Sequence, residues 1–116
     1  MEGLKLWGLA LARLEHRPEY DLVTTYFKAE DLTAPGANEA VDGMSNFLQA
    51  VCGGCDTVLV LKETEEGQVK GSLRSINRDI SKVAKLLGGG GHKKASGFMV
   101  QGKLKVENGK VRVVAV

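Results

Sequence analysis

Residues 86–97 read LLGGGGHKKASG, so four consecutive glycines run straight into a histidine and two lysines. Glycine loses more conformational entropy on folding than any other residue, and four together serve either plain flexibility or a backbone path that side chains would block. Flexible linkers carry glycine and serine over longer stretches. This run stops abruptly at His92 and follows a well-patterned amphipathic segment, so it reads as a structured loop. If HKKASG opens a helix, the N–H groups of Gly89 to Lys93 are unpaired and converge on one point. Such amides carry partial positive charge, glycines let a phosphate approach closely, and His92, Lys93 and Lys94 add donors and charge. An anion cradle and a structural turn both fit these residues. No Gly-Lys-Ser/Thr ends a Walker loop and no G-x-G-x-x-G follows a strand, so the triphosphate and dinucleotide readings are weak.

The charge of the whole chain is consistent with an anionic partner. Residues 1–67 hold 5 Lys or Arg against 12 Asp or Glu, and residues 68–116 hold 11 against 2, an asymmetry hidden by the net charge of +2. Mutual neutralisation of the two halves in the fold is the alternative. The 116 residues fit one domain, and 43% hydrophobic with 26% charged content is ordinary for a globular protein that buries a core without disulfide or metal staples. LKLWGLALARL (4–14) carries Lys5 and Arg13, is too short to span a membrane, and lacks a small-residue cleavage site after it. A cytoplasmic protein with no membrane partner is expected.

The elements that must position the glycine run are legible in part. Leu4, Trp7, Leu11 and Leu14 recur at helical spacing over 4–15, with Pro18 beyond. DLVTTYFK (21–28) is β-branched and aromatic, as strands are, and Val41, Met44, Phe47, Leu48 and Val51 fit one face of a helix over 38–51. DTVLVLKE (56–63) has four consecutive apolar residues, which suits a central strand buried on both faces. After a turn at ETEEGQ, QVKGSLRS (68–75) alternates, with Val69, Gly71 and Leu73 on one face and Lys70, Ser72 and Arg74 on the other. NRDISKVAKLL (77–87) sets Ile80, Val83, Ala84 and Leu87 at helical spacing with Asn77 or Asp79 as cap. A strand near FMVQ and a hairpin LKVENGKVRV follow, the latter with the type I′ pair Asn108-Gly109. The expected fold is α/β, a mixed β-sheet flanked by helices with a C-terminal β-hairpin.

Read together, TVLVLKE, SLRS (72–75) and DISKVAKLLGGGGHKKASGF (79–98) resemble the DHH-associated C-terminal domain of the DHH phosphoesterase superfamily. Within it they most resemble the bifunctional oligoribonucleases that also dephosphorylate phosphoadenosine phosphate. The likeness extends to LWGLALARLE as a connecting helix (1–16), leaving 17–116 as the substrate-binding domain. It implies that Arg74 and Ser75 lie against phosphate or base, that Gly89, Gly90, Gly91 and His92 cradle the terminal nucleotide, and that Lys93 is a secondary contact, with Lys94 more speculative. Arg74 carries the planar fork suited to bidentate phosphate contacts. The implied ligands are short RNA or DNA or phosphorylated nucleotides, and the implied partner is an N-terminal DHH catalytic domain that holds Mn²⁺. This chain is then expected to be an excised domain or a truncated product that binds and does not cut, since His16 and His92 are its only histidines and no Asp-His-His stretch accompanies them. Where the pattern has Ala-Ala-Gly, this chain has Ala95-Ser96-Gly97, a change small enough to keep the loop packed. Alanyl-tRNA synthetases end in a related glycine-rich segment without the histidine-lysine continuation, which keeps a tRNA-binding or dimerisation domain as the alternative. A homodimer through the apolar first helix stays open.

Other chemical groups have plainer readings. CGGC (52–55) has redox and zinc spacing, but it follows a helix and precedes a strand, and a zinc site needs two further ligands. Reduced thiols in a turn are expected at Cys52 and Cys55. His16 reads as a solvated helix-end residue and Trp7 as an interface or core anchor.

Overall fold

The computed structural model describes residues 2–51 and 55–115. Helix α1 (Glu2–Ala12) ends where Arg13 turns inward. The Arg13 guanidinium donates to Asp31 Oδ2 at 2.8 Å and to the Tyr26 carbonyl at 3.1 Å, and lies over the Tyr26 ring. The chain reverses there into the three-residue strand β1 (Glu15–Arg17), and Pro18 then starts a 3₁₀ turn, Pro18–Tyr20, where its fixed φ suits the first position. Strand β2 (Leu22–Phe27) follows. A second 3₁₀ turn (Ala29–Leu32) and helix α2 (Ala37–Val51) carry the chain across to β3 (Thr57–Glu63), which pairs parallel to β2. Every other strand pairing is antiparallel: β4 (Gln68–Ser75) on β3, then, after helix α3 (Ser81–Leu86), β5 (Gly90–His92) and β6 (Ala95–Gln101) as a hairpin whose second strand pairs with β4.

The result is a six-stranded mixed sheet in the order β1-β2-β3-β4-β6-β5, with β7 (Lys103–Glu107) and β8 (Lys110–Val114) as a separate C-terminal hairpin. Asn108 and Gly109 both take positive φ, 52° and 75°, as a type I′ turn demands. The α/β fold with a mixed sheet and terminal hairpin is therefore the one expected.

Strand alternation divides the sheet into two faces. On one, Phe27, Val58 and Val60 meet Leu6 and Ala10 of α1 and Val41, Met44 and Leu48 of α2. The buried Thr25 hydroxyl donates to the Ala10 carbonyl at 2.7 Å, and Trp7 Nε1 donates to the Ala40 carbonyl at 3.0 Å while its ring tilts against Phe47. Phe27, Met44 and Leu48 are fully buried, and each contributes about 1.5–3 kcal/mol by burial alone. On the other face, Leu61 and Val69 pack under Leu104 and Val111 of the hairpin, while Leu73 packs under Ile80 and Ala84 at α3.

Three expectations need correction. The buried stripe of α1 is Leu6 and Ala10, whereas Leu4 is 63% and Leu11 44% exposed. An almost wholly apolar helix offers several stripes, and packing on α2 and β2 selects among them. Second, α3 is shorter than 77–87, and Val83 and Leu87 are exposed. Asp79 does act near its start, accepting from the Ser81 N–H at 3.1 Å. Third, HKKASG starts no helix: it runs from the end of the first arm, His92, through the tip into the second arm of the β5–β6 hairpin. Of CGGC, Cys52 to Gly54 lie outside the described residues.

Candidate functional site

Because side chains alternate along a strand, Lys70, Ser72 and Arg74 leave β4 on the same face as Val58 and Val60 of β3. Helices α1 and α2 cover that face over β2 and β3. Beyond them β4, β6 and β5 carry an open cavity of about 290 Å³, lined by Ser72, Arg74, Gly90, Gly91, Ala95, Ser96 and Gly97. Two cross-strand rows cross it: Arg74–Ala95–His92 and Ser72–Gly97–Gly90. The floor is thus glycine and small residues, with the Arg74 guanidinium and the His92 imidazole on either side of Ala95 in one row.

Arg74 stands apart electrostatically. Arg13 pairs with Asp31, Arg17 with Glu15, Arg112 with Glu107, and Arg78 with the Tyr20 carbonyl and Asp56. Among the described residues Arg74 is the one arginine with no acceptor in the protein, and it is half-buried beside the glycine floor. A guanidinium held so is matched to an external oxyanion.

The glycines divide by role. A Cβ on Gly89 would stand 2.0 Å from the Gly97 carbonyl oxygen and 2.7 Å from Phe98 Cα. Gly91, at φ +142°, would bring its Cβ to 2.8 Å from the Ala95 carbonyl oxygen. Both are packing requirements. Gly90 is different: nothing lies within 4 Å of its Cβ position, which faces the cavity. Nor do the amides converge as a helix start would have them, because the Gly89 N–H donates to the Ala84 carbonyl at 2.7 Å. β5 is instead an edge strand, with one row of backbone groups left without a strand partner.

The remaining expected residues are placed less uniformly. Ser75 lies on the opposite face, 3% exposed, with its hydroxyl donating to the Arg78 carbonyl, so the structure does not bring it to the cavity. His92 ends β5 and is exposed. Lys93 sits at the hairpin tip near Asp79; that carboxyl is held below its ordinary value first by the Ser81 hydroxyl, against burial, and further by the Ser81 N–H, Lys82 and Lys93.

The tip itself is tied to the loop after β4. The Ser75 N–H donates to the Lys94 carbonyl (3.1 Å), the Ile80 N–H to the Lys93 carbonyl (2.9 Å), and Lys94 Nζ to the Ile76 carbonyl. That loop hangs on buried Asp56, which accepts from the Asn77 N–H at 2.7 Å and from Thr57 Oγ1 at 3.1 Å. Burial pushes the Asp56 carboxyl up, but these bonds, with one from the Asn77 side chain and the charge of Arg78, outweigh it and leave it below its ordinary value.

Residues 22–113 match the DHHA1 domain. The chain belongs to the DHHA1 domain family. Among solved structures similar to this DHHA1 domain is an exopolyphosphatase-related protein from Bacteroides fragilis, 25% identical with a TM-score of 0.70 over 84% of the chain and 29% of that protein. Another is the pGpG-specific phosphodiesterase PggH from Vibrio cholerae, 11% identical with a TM-score of 0.57 over 86% of the chain and 33% of that protein, a likeness of fold. The chain thus spans about a third or less of the length of either. No curated protein matches it. Among the described residues of this DHHA1 domain, no three His, Cys, Asp or Glu side chains gather where they could hold a metal ion, so these residues do not fit a Mn²⁺ centre.

Sequence reasoning set Ser72 and Lys70 on the face of Arg74 without naming either as a site residue, and missed Gly97 and Met99 as part of that face. The signal was present for the first two, since the alternation that exposes Arg74 exposes Ser72 and Lys70 with it.

Proposed function

We propose that this DHHA1 domain is the substrate-binding module of a DHH phosphoesterase of the oligoribonuclease and phosphoadenosine phosphate phosphatase kind. It holds the phosphate of a nucleotide, or of the end nucleotide of a short RNA or DNA, on the open face of β4, β6 and β5. The observation that carries this reading is Arg74, without an acceptor among the described residues, beside a floor of Gly90, Gly97 and Ala95. The guanidinium takes two phosphate oxygens, His92 donates from the far end of the row, and the glycine floor admits the phosphate to backbone distance. Lys93 adds charge from the hairpin tip.

In this reading the domain binds and orients its ligand, and bond cleavage belongs to an N-terminal DHH catalytic domain carrying Mn²⁺. The exopolyphosphatase-related and phosphodiesterase neighbours support a phosphoester or phosphoanhydride ligand. The reading is tested by fluorescence anisotropy at low salt with RNAs of two to five nucleotides. Arg74→Ala and His92→Ala are each expected to weaken binding roughly tenfold, about 1.4 kcal/mol. Binding by both variants equal to that of the native chain would overturn it.

A further inference from the structure

The cavity at Arg74 does not end at Ser72. A second cavity of about 420 Å³ is lined by Lys62, Lys70, Ser72, Gly88, Gly97 and Met99, among others, and shares Ser72 and Gly97 with the first. The two form one groove along β4. The next cross-strand row after Ser72–Gly97 is Lys62–Lys70–Met99, so the shared floor leads from one cation to two more. Lys70 is exposed and Met99 is 41% exposed. Lys62 Nζ donates to Asn38 Oδ1 at 3.0 Å, which steadies it at the groove wall.

We infer that Lys70, with Lys62, forms a second phosphate subsite, and that Met99 beside it supports a nucleoside, so that the domain reads ligand length as well as a phosphate. The inference rests on the reading of Arg74 given above. Lys70 lies four residues from Arg74 on one strand face, about 13 Å along the backbone. One mononucleotide phosphate does not reach both cations, whereas a strand of two or three nucleotides sets one phosphate at Arg74 and a later one at Lys70. Met99 offers a polarisable apolar surface of the kind that accepts a base or ribose face. The tract is also bounded: beyond Lys62 and Lys70 the surface is lined by Thr64, Glu65 and Glu66, and the exposed carboxylates of Glu65 and Glu66 repel a continuing phosphate chain. The groove therefore fits a short oligonucleotide and disfavours a long one.

The experiment measures binding of AMP, of 5′-phosphorylated triadenylate and of inorganic tripolyphosphate to the 116-residue chain by calorimetry across a salt series. The variants are Lys70→Gln, Arg74→Ala and, as a charge control on α3, Lys82→Gln. Lys70→Gln is expected to leave AMP binding unchanged, to weaken triadenylate threefold or more, and to make the triadenylate salt dependence shallower by about 0.7 in log K per log salt. Lys82→Gln is expected to change neither. Equal losses for AMP and triadenylate in Lys70→Gln, or none for either, would overturn the subsite while leaving the Arg74 reading intact. Tripolyphosphate binding as tightly as triadenylate would overturn the nucleoside contact at Met99. Native binding that Arg74→Ala leaves unchanged, or no binding of any ligand, would remove the reading and the inference together.

Discussion

Arg74 and His92 stand at the two ends of one cross-strand row, with Ala95 between them, so two strand spacings, about 10 Å, separate their backbones. A row is a rigid ruler, because its register is fixed by the ladder hydrogen bonds and by the buried residues on the other face. Arg74 also has no acceptor among the described residues, so its loss removes no internal bond. Arg74→Ala is expected to unfold within about 0.5 kcal/mol of the native chain while losing roughly tenfold in RNA binding. Arg74→Lys keeps the charge without the fork and is expected to recover only part of that affinity. Urea unfolding beside anisotropy on the same samples separates the two effects, and a stability loss that tracks the binding loss would count against a binding role.

The glycines give a sharper contrast. A Cβ at Gly89 runs into the backbone of Gly97 and Phe98, neither of which has a flexible end to move aside. Gly89→Ala is therefore expected to cost about 1–3 kcal/mol, as overpacking does. At Gly90 the same methyl meets nothing and rises into the cavity. Gly90→Ala is expected to fold as stably as the native chain and to bind short RNA several-fold more weakly, read by thermal melting and anisotropy. Equal melting temperatures for the two variants would show that the close contacts at Gly89 are relieved cheaply.

How far the chain announces this arrangement depends on the length of each signal. Residues 68–75 alternate over a full strand, and that pattern alone sets Arg74 on the open face; it also sets Ser75 on the buried one, against the role implied by resemblance. The Asn108-Gly109 turn and the α2 face are equally direct, being set by local chemistry and by fifteen residues of helix. Strands β1 and β5 are three residues each, too short for a period to appear, and exist because β2 and β6 lie beside them. The glycine run erases side-chain pattern altogether, and small residues after it fit a helix locally as well as a strand. Pairing with β6 decides, and that partner is visible only once the sheet is assembled. The groove from Arg74 to Lys70 depends in the same way on Gly97 and Met99, which come from another strand.

Asp56 supplies the last test, because it holds the loop that in turn holds the hairpin tip. Its carboxyl is buried, and the bonds from Asn77 and Thr57 with the charge of Arg78 keep its pKa below the ordinary 3.8 despite that burial. A carboxyl whose pKa is depressed on folding contributes stability that is fully present above its unfolded pKa and is lost as pH falls through the folded value. Asp56→Asn is accordingly expected to cost about 1–3 kcal/mol at pH 7, where the part-buried Asn77 N–H loses a charged acceptor. That difference should shrink as pH falls below the ordinary 3.8, where the unfolded chain's carboxyl takes up a proton first and the native one only at lower pH. Urea unfolding of both chains at pH 7 and pH 3 measures it, and a difference that stays constant with pH would exclude the ionised carboxylate as the anchor of residues 76–80. Because Lys93 and Lys94 are tied to that loop through Ile80, Ser75 and Ile76, the same substitution is expected to loosen the hairpin tip, raising amide exchange at Ile80 and Ser75 before the sheet itself opens.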